Sequence, residues 1–168
     1  MKVIENVLYK DNIKKIYDIF TSKLPWYYDG IVVGKKNTFD EQESKKNNDN
    51  FMYYHLAYNK DEINSDYFNL VLPLLGKLNY KKLIRVKYNS YTKGDRKIEH
   101  PFHTDYKREH KVALYSLNTN NGYTEFKNGE RYESIENTMV IFDGLTEHRS
   151  VTQTDTKLRL NININYED

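Results

Sequence analysis

Residues 157–166, Lys-Leu-Arg-Leu-Asn-Ile-Asn-Ile-Asn-Tyr, alternate apolar and polar without a break. Period two marks a β-strand, because successive side chains leave opposite faces of the pleated backbone. Leu158, Leu160, Ile162, Ile164 and Tyr166 therefore share one face, and Lys157, Arg159, Asn161, Asn163 and Asn165 share the other. The apolar row must be covered by a core. The polar row either meets solvent or lines a polar cavity inside a barrel.

The same period runs through Leu83–Tyr91, Lys111–Leu117, Tyr123–Lys127 and Thr138–Phe142. Turn-forming residues separate these stretches: Thr92–Asp95, Asn118–Gly122, Asn128-Gly129 and Asp143-Gly144. The first part of the chain reads differently. Val3–Leu8 suggests a short strand, and Asp11–Leu24 places Ile13, Ile16, Tyr17, Phe20 and Leu24 at helical spacing, with Asp11 as N-cap and Pro25 as stop. Residues 35–50 are polar with no period, as in an exposed loop. Asn64–Leu78 reads as a helix capped by Ser65 or Asp66 and ending near Gly76, with Pro73 warning of a break. Helices followed by five or more strands imply an α+β chain with an antiparallel barrel or sandwich core. With 168 residues, the expectation is one domain over 1–168: a helix-rich lead-in over 1–80 and core strands over 81–168.

Composition removes several functions. The chain has no Cys, which excludes disulfides, iron–sulfur clusters, thiol nucleophiles and Cys-ligated zinc. A formal net charge of +2 does not demand a polyanionic partner. No window reaches the length of a membrane span and the N-terminus has no signal-peptide pattern, so the expected location is the cytoplasm and no membrane partner is expected. The 16 tyrosines fit AT-rich coding and specify no function by themselves.

Five histidines carry the available metal chemistry: His55, His100, His103, His110 and His148. On a strand, His103 and Asp105 would leave the same face about 6–7 Å apart. His148, near the end of the Thr138–Phe142 strand, can complete a ligand set of two His and one carboxylate, which leaves coordination positions open. Arg159 follows His148 by eleven residues, and a guanidinium holds a carboxylate through two parallel hydrogen bonds. Asn89 and Tyr91 share one face of the strand that precedes His103. Taken singly, each feature has a bland explanation, but their order along the chain is hard to obtain by chance. His100 and His110 are expected at the surface, with substrate contact as the alternative, and His55 as a partly buried packing residue. Arg149 should point away from the His148 face and is a candidate to touch substrate. Glu125 stays undecided between cavity and exterior.

In this order the chain resembles the 2-oxoglutarate/Fe(II)-dependent oxygenase superfamily. The words Asn89–Tyr91, Leu117-Asn118, Gly122–Phe126 and Met139–His148 are similar to the prolyl-4-hydroxylase-like branch, and closest to short oxygenases of phages and other viruses. The likeness covers residues 83–166 well and 1–80 weakly. It implies a double-stranded β-helix (jelly roll) with N-terminal helices, and His103, Asp105 and His148 as Fe(II) ligands. It also implies that Arg159, helped by Tyr91, takes the distal carboxylate of 2-oxoglutarate. Asn161 and Asn89 resemble supporting positions of the nucleic-acid demethylating branch. The implied activity is a dioxygenase that consumes O2, releases succinate and CO2, and hydroxylates a substrate. Asp105 stands where related halogenases lack a carboxylate, which favours hydroxylation. Asn137-Thr138 departs from the pattern, because many relatives have Gly there. Peptide or protein substrates rank above small molecules, and those above nucleic acid. A viral member would work in the host cytoplasm. The alternative is a non-catalytic metal-binding jelly roll, although the His-x-His pair of cupins is missing.

Overall fold

The computed structural model describes residues 1–30 and 50–168. The polar stretch expected as a loop lies outside the described residues over 35–49, and Asn50 at its end is buried. Fourteen short elements follow one another along the described chain. They begin with β1 (Lys2–Glu5), α1 (Lys10–Ser22), β2 (Tyr27–Asp29), β3 (Met52–Asn59) and β4 (Glu62–Ile63). A 3-10 turn (Phe68–Val71) and α2 (Leu72–Leu75) lead into β5 (Lys82–Thr92) and β6 (Lys111–Ser116). The chain continues through β7 (Tyr123–Phe126), β8 (Arg131–Glu133), β9 (Thr138–Asp143), β10 (His148–Val151) and β11 (Leu158–Glu167).

A large antiparallel sheet runs β1-β9-β6-β11-β5-β3-β2, with β4 paired to β3, and a small sheet runs β10-β7-β8. The two face each other as a jelly-roll core, so the α+β expectation holds. β11 is central, pairing with β5 on one side and β6 on the other. Its apolar row, Leu160, Ile162 and Ile164, packs with Tyr88, Ala113, Tyr115 and Met139 beneath Ile13, Ile16 and Phe20 of α1 and Leu74 and Leu75 of α2. Its polar row turns inward. Arg159, Asn161 and Asn165 are buried and line the space between the sheets, so the solvent-facing alternative is excluded. Val112, Leu114, Val140 and Phe142 of the large sheet meet Phe126 and Tyr132 of the small one in a second apolar cluster.

Several local expectations need correction. The lead-in is less helical than its sequence suggests, because β1, β2, β3 and β4 all join the large sheet. Asp11 is not the N-cap: Tyr9 takes that position without a side-chain hydrogen bond, and Asp11 sits in the first turn, where its charge suits the helix dipole. Residues 64–78 do not form one helix. Ser65 Oγ accepts the Tyr67 N–H at 3.0 Å, a 3-10 turn follows, and α2 restarts with Pro73 in its first turn. Proline has no N–H to continue the ladder, so it fits only at such a restart. Asn137 explains the missing Gly. Its φ is +59°, a left-handed conformation that Gly and Asn adopt most readily. Its amide also clamps the N-terminal segment, accepting from Leu8 N at 2.8 Å and donating to Leu8 O at 3.0 Å.

Candidate active site

His103 and His148 meet across a single β-bridge and exchange both backbone hydrogen bonds, each 2.9 Å long. Their rings lie 4.6 Å apart between centroids. His148 opens β10 of the small sheet; it is not at the end of β9, because Gly144–Glu147 carry the chain across to the other sheet. His103 and Asp105 are likewise not on a continuous strand, and the bend after the bridge brings the carboxylate round. The ligand atoms of His103, Asp105 and His148 fall within 4.8 Å of one another, as a shared metal ion requires.

The surroundings leave those atoms available. His103 Nδ1 lies 3.3 Å from Pro101 O, and His148 Nδ1 lies 3.0 Å from Thr146 O. A carbonyl only accepts, so each neutral ring carries its proton on Nδ1 and keeps the Nε2 lone pair for a metal. Asp105 Oδ1 pairs with Arg85 Nη2 at 2.7 Å, and Oδ2 accepts from Asn163 Nδ2 at 3.1 Å. Burial pushes the Asp105 carboxyl up, but Arg85, His148, His103 and the Asn163 hydrogen bond outweigh it and hold it well below the usual carboxylate range. Burial, reinforced by the neighbouring His148, pushes His103 down to about 4. Burial and the Arg159 charge push His100 down to about 3. Both rings are therefore neutral at pH 7. Between about pH 4 and 6.5 the unfolded chain binds protons that these folded imidazoles refuse, so stability rises with pH there. Urea midpoints should fall steadily from pH 6.5 to pH 4 and change little from pH 7 to pH 8. A flat profile from 6.5 to 4 would contradict the burial of these rings.

Further along the polar row sits Arg159, only 2% exposed. Its Nε donates to Ser134 Oγ at 2.9 Å and its Nη2 to Thr124 Oγ1 at 3.3 Å, while Nη1 has no partner. Among the described residues no carboxylate pairs with it. Tyr91 stands directly opposite in the β5–β11 register, with its ring centroid 5.1 Å from the guanidinium carbon. Burial pulls the Arg159 pKa down, opposed mainly by Tyr91 and Tyr132. Asn89 and Asn161 are also opposite each other, and their buried amides bond together at 2.8 Å between Arg159 and the metal-site end. Gly122 makes room for the guanidinium stem, because a Cβ there would lie 2.8 Å from Arg159 Cδ and 2.9 Å from Val151 O. Gly122→Ala should displace Arg159 and weaken binding of a carboxylate ligand about tenfold or more, read by calorimetry. Unchanged affinity would show that Arg159 does not need this seat.

The remaining candidates fall in place differently. His100 and His110 are buried, 1% and 5% exposed, which corrects the surface expectation. His110 fits against Gly144 so closely that a Cβ would lie 2.1 Å from its ring. His55 is a buried packing residue as expected, joined to Pro25 O at 2.8 Å and Ser65 Oγ at 2.6 Å. Arg149 does turn away from the His148 face. It pairs with Glu125 at 2.5 Å and Glu99 at 2.8 Å, which places Glu125 in an ion cluster rather than in the cavity. The sequence reading missed Arg85, Ser134 and Thr124, and gave Asn163 no role. Arg85 was visible in principle, because it shares the inward face of β5 with Asn89 and Tyr91.

No family model and no curated protein matches this sequence. Solved structures do. A 2OG-Fe(II) oxygenase family oxidoreductase from Burkholderia pseudomallei is similar at TM-score 0.65 and 10% identity, over 98% of this chain and 84% of that one. The non-heme alpha ketoglutarate dependent epimerase SnoN from nogalamycin biosynthesis gives TM-score 0.63 and 14% identity, over 99% and 76%. A Pseudomonas putida prolyl-4-hydroxylase gives 0.58 and 13%, over 99% and 92%. At such identities the likeness is one of fold: the chain shares its architecture with these three structures.

Proposed function

We propose that the protein is an Fe(II)- and 2-oxoglutarate-dependent dioxygenase that hydroxylates its substrate and releases succinate and CO2. The observation that carries this reading is Arg159, a buried guanidinium with an unpaired Nη1 and no carboxylate partner among the described residues. A buried cation without a counter-charge is costly, and a ligand carboxylate would offset that cost. A protein that merely held a metal would have no use for such a residue.

The donor set fits the proposed groups. His103, Asp105 and His148 would hold Fe(II), a ligand set of two neutral imidazoles and one ionised carboxylate with positions left open. Bound Fe(II) with 2-oxoglutarate and O2 supplies the oxidising chemistry of such a site. The chain's own residues do the positioning. Arg85 and Asn163 fix Asp105 through both its oxygens. The Pro101 and Thr146 carbonyls fix the histidine tautomers. Arg159, anchored by Ser134 and Thr124, would take the distal carboxylate beside Tyr91, with the Asn89–Asn161 pair between that end and the metal end. A peptide or protein side chain stands first among substrates, on the strength of the likeness to the prolyl-4-hydroxylase-like branch over 83–166.

The test is succinate formation from 2-oxoglutarate by Fe(II)-loaded protein in air, followed by NMR with and without candidate peptides. Turnover that needs iron and oxygen supports the reading. Its absence with every cosubstrate tried, in folded and metal-loaded protein, would sink it.

A further inference from the structure

His100 is buried beside Tyr91 and has no part in the reading above. Its ring stacks on Tyr91, with centroids 5.6 Å apart and planes 27° apart. Its Nδ1 lies 2.5 Å from Ser150 Oγ, and its Nε2 is buried without a partner. In the tautomer in which the Ser150 hydroxyl donates to His100 Nδ1, the ring proton sits on Nε2, which becomes a donor with nothing to bond.

Two buried groups without a partner, Arg159 Nη1 and His100 Nε2, thus belong to side chains that both lie against the Tyr91 ring. Buried donors are rarely left unpaired, because each costs about 1–3 kcal/mol. We propose that His100 is a second binding group for the carboxylate that Arg159 takes, donating to it from Nε2. The ligand class is a dicarboxylate whose distal group receives one charged and one neutral donor. The inference rests on the 2-oxoglutarate reading and adds a residue to it. The neutral state of the ring is secured by burial and by the Arg159 charge, which hold its pKa at about 3.

The experiment compares wild type, His100→Met, which fills the space without a donor, and His100→Gln, whose amide can still donate. Each Fe(II)-loaded protein is titrated anaerobically by calorimetry with 2-oxoglutarate and with 2-oxobutyrate, which lacks the distal carboxylate. Losing one hydrogen bond to a charged group should raise the 2-oxoglutarate Kd of His100→Met roughly tenfold, leaving the 2-oxobutyrate Kd within about twofold. His100→Gln should lie between wild type and His100→Met for 2-oxoglutarate. Equal Kd values for Met and Gln variants, or equal weakening toward both acids, would overturn the inference. If Arg159→Met loses 2-oxoglutarate affinity while His100→Met does not, only the present inference falls. If wild type binds neither acid, the cosubstrate reading fails and this inference goes with it.

Discussion

His103→Ala and Asp105→Ala should each abolish succinate formation while the protein still folds. Each removes one of three ligand atoms from a cluster within 4.8 Å, to which no other His, Asp or Glu belongs among the described residues. The loss should be on the order of a thousandfold or more, beyond the roughly 10–100-fold expected for removing an outer partner of a ligand such as Asn163. Folding should survive for specific reasons. The bridge between His103 and His148 is made by backbone groups, which alanine keeps. Losing Asp105 strips Arg85 of its carboxylate, but that side chain is 19% exposed and stacks on Tyr106 at 5.2 Å, so its charge can reach water. Single-turnover succinate assays, with circular dichroism as the folding control, check both variants. Full activity in either would remove that residue from the metal site.

Arg159→Met should raise the 2-oxoglutarate Kd on the order of a hundredfold or more, because a bidentate, charge-assisted contact is lost. The ligand-free variant should nonetheless melt no lower than wild type. Wild type holds an uncompensated cation that is only 2% exposed, and methionine removes that cost while filling much of the volume. The lost bonds to Ser134 and Thr124 work the other way, but neither partner is charged. A 2-oxoglutarate concentration that just saturates wild type should then raise the Tm of the Fe(II)-loaded wild type and shift the variant far less, since a ligand stabilises in proportion to its binding to the native state. A variant that melts far below wild type would mean that Arg159 is a structural residue.

What the sequence showed plainly was whatever follows a strict period. The alternation over 157–166 put Arg159, Asn161, Asn163 and Asn165 on one face, and the cavity confirms that face for Arg159, Asn161 and Asn165. His103, Asp105 and His148 were legible as residue types, yet the geometry that joins them was not. A bridge between two sheets is a long-range pairing, and period two carries no information about which distant strand it meets. β3 escaped notice because its half-buried face carries Tyr54, Leu56 and Tyr58, as apolar as the buried His55 and Ala57 face, so burial alternates along the strand while polarity does not. His100 and His110 looked like surface residues for a related reason. They flank the motif in a segment without regular structure, and their burial comes from Tyr91, Ser150 and Gly144, which lie far away in sequence. Pro73 was read as a warning and proved to be a break, because a missing N–H acts locally.

The central claim is that the His103–Asp105–His148 cluster and Arg159 serve one bound cosubstrate. Anaerobic titration of Fe(II)-loaded protein with 2-oxoglutarate tests it directly, through the weak visible charge-transfer band of the Fe(II)–2-oxoglutarate complex. The account predicts that the band grows to saturation in wild type, needs far more ligand in Arg159→Met, and is absent in Asp105→Ala. No band in folded, iron-loaded wild type would contradict it and leave a metal-binding jelly roll that does not use 2-oxoglutarate.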